Sequence, residues 1–212
     1  MRAFILPTLL AAVLAAAPAR ADVEIHADQQ RYVVEDARKI KVDLSFGHLQ
    51  VEGTDARDVE VEFRLTCSRQ DLEKCRRRGE RIRVVPRVKG ENFVVRLEHT
   101  PRGRIQGIRA ELKLKVPKDL PLDVDMAGGD VFVTRMLSDV VIAGGAGSID
   151  VIARHERVGA VNVKVVAGKA ELWMGDGHMK GGGFPRSIRW QGPGASRIEI
   201  DWGTGDARIR LE

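Results

Sequence analysis

Apolar and charged residues alternate with a period of two along much of the chain. In "KIKVDLSF" Ile40, Val42, Leu44 and Phe46 fall on one side, with Lys41, Asp43 and Ser45 on the other. "VEVEFRL" (Val59, Val61, Phe63, Leu65) and "ELKLKV" (Leu112, Leu114, Val116) repeat the pattern. A period of two with one charged face predicts strands that have a core on one side and water on the other. Between Ser68 and Arg78, "SRQDLEKCRRR" breaks the alternation. Ser68 can cap, Asp71 sits in a first turn and arginines gather at the end, so a short helix is expected near residues 68–79.

Glycine punctuates the second half. "DVDMAGGDVFV" (123–133) and "VIAGGAGSIDV" (141–151) align at a constant offset of 18 residues, with Val124 on Ile142, Gly129 on Gly147, Val131 on Ile149 and Val133 on Val151. "VKVVAGKAEL" (163–172) follows with Gly168 in the same place. "IRWQGPGASRIEI" (188–200) and "IDWGTGDARIRL" (200–211, with Gly205) read as further copies, and "LSFGHLQV" (44–51) as a weaker one. A short repeat of this kind predicts stacked β-coils or a row of meandering strands. Glycine serves where the chain needs positive φ or a close backbone approach. The alternative, a phosphate-cradling loop, requires G-x-G-x-x-G opening a helix, whereas Gly147 leads straight into strand-like residues. A calcium-binding G-G-x-G-x-D roll also fails, because Asp150 falls one position late.

Composition supports a β-rich exported chain. Aromatic residues are 5% of the 212 while glycine numbers 22, a balance that suits short strands and tight turns. "MRAFILPTLLAAVLAAAPARA" has a positive start, an apolar run and an Ala19-Arg20-Ala21 ending, the pattern of a cleaved signal peptide over residues 1–21. The expected destination is the periplasm or the exterior, with no integral membrane segment after cleavage. Two cysteines, Cys67 and Cys75, then read as one short disulfide.

Charge is unevenly spread. Asp22–Glu73 carries 7 basic and 13 acidic residues, while Lys74–Arg104 carries 11 and 3. Arg76, Arg77, Arg78, Arg81 and Arg83 form the densest part of the basic block and are the candidate contact for an anionic envelope polymer or lipid head group, since clustered arginine suits phosphate and carboxylate. The competing reading is a solvated face matched by the acidic block. Nucleic acid is not an expected partner, because the block lacks interleaved aromatics.

"KLKVPKDLPLDVDMAGGDVFV" resembles the hallmark region of the bacterial putative-adhesin family, a strand followed by V-P-x-x-x-P-L and then x-G-x-V-x-V turns. The likeness runs from Leu112 through Val151, with weaker repeats to Leu211. It implies an all-β, right-handed β-solenoid-like domain in an envelope-associated protein, and it brings no catalytic residues. The sequence departs from that pattern at the Cys67/Cys75 excursion and at the insertion "GDGHMKGGGFPRS".

Little else points to chemistry. His26, His48, His99, His155 and His178 have no metal-ligand spacing, and no serine sits in a G-x-S-x-G elbow. Asp130 and Asp150 are the candidate acids of a carbohydrate-active β-helix, but they hold different places in their repeats. Trp190 and Trp202 read either as a sugar-stacking strip or, more simply, as filling for a solenoid end. The expectation is therefore an N-terminal β region at 22–110 and a repeat region at 111–212, continuous with each other. The chain is expected to be a non-enzymatic, adhesin-like binder without cofactor or metal. The alternatives are a carbohydrate-active enzyme and an accessory subunit of an envelope-stress or secretion system, with a protein partner on an open strand edge.

Overall fold

The computed structural model describes residues 22–100 and 107–212, and the expected leader, residues 1–21, lies outside them. The chain is an all-β protein with one short α-helix among the described residues. Its strands in chain order are β1 (Val23–Val33), β2 (Lys39–Leu44), β3 (Gly47–Thr54) and β4 (Asp58–Cys67). After α1 (Leu72–Gly79) come β5 (Arg83–Lys89), β6 (Asn92–Glu98), β7 (Ile108–Pro117), β8 (Leu122–Thr134) and β9 (Val140–Ala153). β10 (Val158–Met174), β11 (Gly177–Lys180), β12 (Arg186–Gln191) and β13 (Ser196–Leu211) complete the chain. The expected helix is present, preceded by a 3-10 turn at Arg69–Asp71; Ser68 flanks that turn but makes no side-chain capping bond.

The long strands share one construction. Burial alternates with a period of two, but its phase flips midway: Leu122, Val124 and Met126 are buried in the first half of β8, then Val131 and Val133 in the second. β9 switches from Val140 and Ile142 to Ile149 and Val151, and β13 from Ile198, Ile200 and Trp202 to Ala207, Ile209 and Leu211. At each switch stands a glycine with φ between +127° and +139°: Gly129, Gly147, Gly205 and Gly168, together with Gly47 at the start of β3. Changing phase at the glycine lets both halves of a strand turn their apolar side to one core, which a continuous pleat would not allow.

Pairing keeps these corners in line. β8 pairs in parallel with β2 through Leu122–Met126 and with β3 through Gly129–Thr134, so β2 and β3 act as the halves of one bent strand. β9 lies parallel to β8 in the register that the 18-residue offset requires, Val124 beside Ile142 and Val131 beside Ile149. Gly47 meets Gly129, Gly205 meets Gly147 and Gly168 meets Gly205, which makes a column of glycines across the sheet. On one side of the column the strand order is β5-β6-β2-β8-β9-β13-β10-β12; on the other it is β1-β4-β7-β3-β8-β9-β13-β10-β11. These two walls share one apolar core, and the sheet is not closed.

Two features depart from a simple winding. A chain that coiled onward would lay β10 against β9, but β13 lies between them, parallel to both. The segment 188–200 is also not a bent strand. β12 runs antiparallel to β10, and the chain then turns through Gly192 and Gly194, whose amides bond Gly159 O and Val158 O. An apolar-x-apolar, glycine, apolar-x-apolar string fits a corner and a reversing turn equally well, and here the turn prevails.

Candidate binding surface

The basic block gathers where the chain passes from one wall to the other. β4 ends in one wall at Cys67 and β5 begins at the margin of the other, with α1 between them. The Cys67–Cys75 disulfide ties α1 to the end of β4, with Cα atoms 5.9 Å apart. Cys75 and Gly79 are buried, and a methyl group at Gly79 would collide with the Ile25 side chain. The helix therefore presses one face on β1 and β4 and turns the other to solvent. Arg76, Arg77 and Arg78 lie on the outer side, at the helix C-terminus that favours cations. Arg81 and Arg83 follow, and all five arginines are exposed.

Among the described side chains, the acids of the N-terminal block pair with other cations. Glu60 takes Arg31 at 2.6 Å and Lys115 at 2.9 Å. Asp58 takes Arg31 at 2.8 Å, and Glu24 takes Arg64 at 3.1 Å. Of the wider basic block, Arg96 reaches Asp43 (2.9 Å) and Arg87 reaches Glu98 (3.1 Å). Among the described side chains no carboxylate lies within 4.0 Å of Arg76, Arg77, Arg78, Arg81 or Arg83, and Arg83 donates to Ile82 O at 2.8 Å. The Lys115 hydrogen bond, followed by charge attraction from Lys115 and Arg31, holds the Glu60 carboxyl below the usual range. The same pairing pushes Lys115 up. The acids thus serve the strand wall on which they sit.

A second concavity, of about 410 Å³, opens at the glycine column near β3, β7 and β8. Parallel register places His48 on β3 between Glu111 on β7 and Asp130 on β8. Asp130 Oδ1 accepts from the Ser148 amide at 3.1 Å. This grouping depends on register between strands far apart in sequence, so the spacing of the histidines carried no sign of it. Asp150 lies elsewhere, bridged by Arg210 (3.4 Å) and Arg208 (4.0 Å), so the two aspartates form no pair.

The tryptophans form no strip. Trp202 is fully buried on β13, inside the stack and not at its end, and its Nε1 donates to Gly147 O at 3.1 Å. Gly144 leaves room for its ring, since a methyl group there would strike it. Trp190 is half-buried beside His155, with ring centroids 5.4 Å apart. Trp173, 41% exposed, stacks on His178 at 3.6 Å, and His178 Nε2 is 3.9 Å from Glu171. Among the described residues no group of three His, Cys, Asp or Glu is placed to hold a metal ion, and no helix is long and apolar enough to cross a membrane.

No protein-family model matches the chain, and no curated protein matches it. Among solved structures, it is similar to a putative cell adhesion protein from Clostridium sporogenes at 13% identity and a TM-score of 0.48, covering 88% of this chain and all of that one. A putative adhesin from Parabacteroides merdae matches at 8% identity and a TM-score of 0.25, over 88% and 96% of the two chains. A putative lipid binding protein from Parabacteroides distasonis matches at 9% identity and a TM-score of 0.24, over 88% and 97%. Scores this low carry neither fold nor function across.

Proposed function

We propose that the chain is an exported, adhesin-like binding protein in which solenoid-like stacked strands form the scaffold and the α1 arginines make the contact. The ligand is an anionic polymer or surface of the cell envelope. One observation carries this reading: five exposed arginines lie within eight consecutive positions without a carboxylate partner among the described side chains. Uncompensated like charges repel one another, and an external polyanion relieves that repulsion, most effectively through the paired donors of guanidinium groups.

A second reading, a carbohydrate-active enzyme, is supported by Glu111 and Asp130 flanking His48 in the cleft. Two strand spacings separate the backbones that carry the acids by roughly 9–10 Å, and paired carboxylic acids across a sugar-binding cleft are the working parts of glycosidases.

Co-sedimentation of the protein with isolated envelope fractions at low and high salt tests both. The expected result is binding that weakens with salt and falls at least about tenfold in R76A/R77A/R78A, with no release of new reducing ends. Absence of binding in every fraction sinks the polymer-binding role. Reducing ends that appear with the wild type and not with Glu111→Gln transfer the function to the cleft.

A further inference from the structure

The insertion between β10 and β12 is outside both the glycine column and the arginine cluster. Lys180 ends β11 and Arg186 begins β12. Gly182, just after β11, forms an antiparallel bridge with Ser187 of β12, the Ser187 amide donating to Gly182 O at 3.2 Å. The bridge closes a loop of residues 183–186 with Phe184 and Pro185 at its tip. Phe184 is 83% exposed, the most exposed large apolar side chain among the described residues, and Met179 in the same insertion is 37% exposed. A phenylalanine held in water forgoes the stabilisation that burial of its ring would contribute.

Cations surround the base of this loop. Lys169, Lys180 and Arg186 line one concavity together with Glu171 and Asp206. Both acids are already engaged by Arg208, at 3.8 and 3.3 Å, and Glu171 also lies 3.9 Å from His178. The three cations have no carboxylate within 4.0 Å among the described residues. Arg186 donates to Gly181 O at 3.5 Å, which keeps it at the foot of the loop. The result is an exposed apolar tip on a loop whose base carries a collar of unpaired cations.

We propose that this loop is a contact site for an anionic phospholipid bilayer. Phe184 enters the boundary between head groups and acyl chains, while Lys180, Arg186 and Lys169 meet the phosphates. A soluble polyanion would use the cations but would leave Phe184 in water; a bilayer surface satisfies both. The site is independent of the α1 arginines.

The test is sedimentation of the protein with phosphatidylglycerol-containing vesicles and with pure phosphatidylcholine vesicles. Binding is expected on the anionic vesicles only, reduced about tenfold in F184S and in K180Q/R186Q, and retained in R76A/R77A/R78A. F184S should melt close to the wild-type temperature, because the side chain it removes is 83% exposed. In F184W, brominated acyl chains should quench fluorescence beyond the quenching of the native tryptophans. Equal binding by F184S, equal binding to phosphatidylcholine or the lack of added quenching in F184W overturns the proposal. So does wild-type binding that inorganic phosphate abolishes while F184S binds normally, which would assign the collar to a soluble anion. Loss confined to R76A/R77A/R78A overturns this site and leaves the envelope-polymer reading standing.

Discussion

At Gly147 the backbone takes φ +134°, and a methyl group there would overlap the carbonyl oxygen of Gly129 on the adjacent strand. Gly205 in turn leaves no room beside Gly147, nor Gly168 beside Gly205. Two penalties therefore coincide at one atom: a conformation that side chains disfavour and a collision with backbone that cannot swing away. Gly147→Ala is expected to lose about 3 kcal/mol or more, read as a fall in the urea midpoint. Gly182→Ala, with open space around it and φ outside the left-handed region, is expected to stay within about 0.5 kcal/mol. Equal effects at the two positions would show that the column is not what holds the strands close. These corner glycines were legible as a repeat, because Gly129 and Gly147 fall 18 residues apart amid matching apolar positions. Trp202 was not, since its burial depends on the space left by Gly144 on a strand more than fifty residues away.

The helix shows how one element can be readable while its setting is not. Its C-terminal end was visible in the arginines, whereas Ser68 flanks a 3-10 turn and makes no capping bond, and the short cysteine spacing pointed to the bridge now seen between Cys67 and Cys75. Its placement between the two walls follows from β4 and β5 lying in different ones, a matter of long-range pairing. The bridge spans 8 residues, so closing that loop is worth about 2–3 kcal/mol by chain entropy. C67A/C75A is therefore expected to lose about that much stability and to exchange the amides of α1 much faster. The amides of β8 and β9, which depend on the glycine column, should keep their order of protection. Uniform loss of protection would mean that the helix helps to hold the stack itself. The insertion after β10 illustrates the opposite difficulty: "IRWQGPG" has the glycine and apolar spacing of a bent strand, yet it forms an antiparallel strand and a turn.

Across the molecule, the least legible property was strand order. β8, β9, β10 and β13 have nearly interchangeable patterns, so alternation alone cannot say which of them are neighbours. The chain lays down β9, leaves a strand's width, builds β10 with β11 and β12, and fills the gap last with β13. β13 pairs with β9 from Ile198 to Leu211 and with β10 over the same stretch, while Glu212 exchanges backbone bonds with Ala153 and His155. An end coil could be trimmed from a regular stack at modest cost, because each coil touches only its neighbours. Here removal of the last strand would leave facing edges of β9 and β10 unpaired and would uncover Ile142, Ile149, Val163 and Leu172. A chain ending at Gly192 is accordingly expected to have no cooperative thermal transition by circular dichroism, although it retains twelve of the thirteen strands found among the described residues. It should also aggregate, since two long parallel edges are open to other chains. A cooperative melt in the shortened chain would mean that β9 and β10 can close on each other directly. In that case the final strand would be an insertion into a complete stack, and not its keystone.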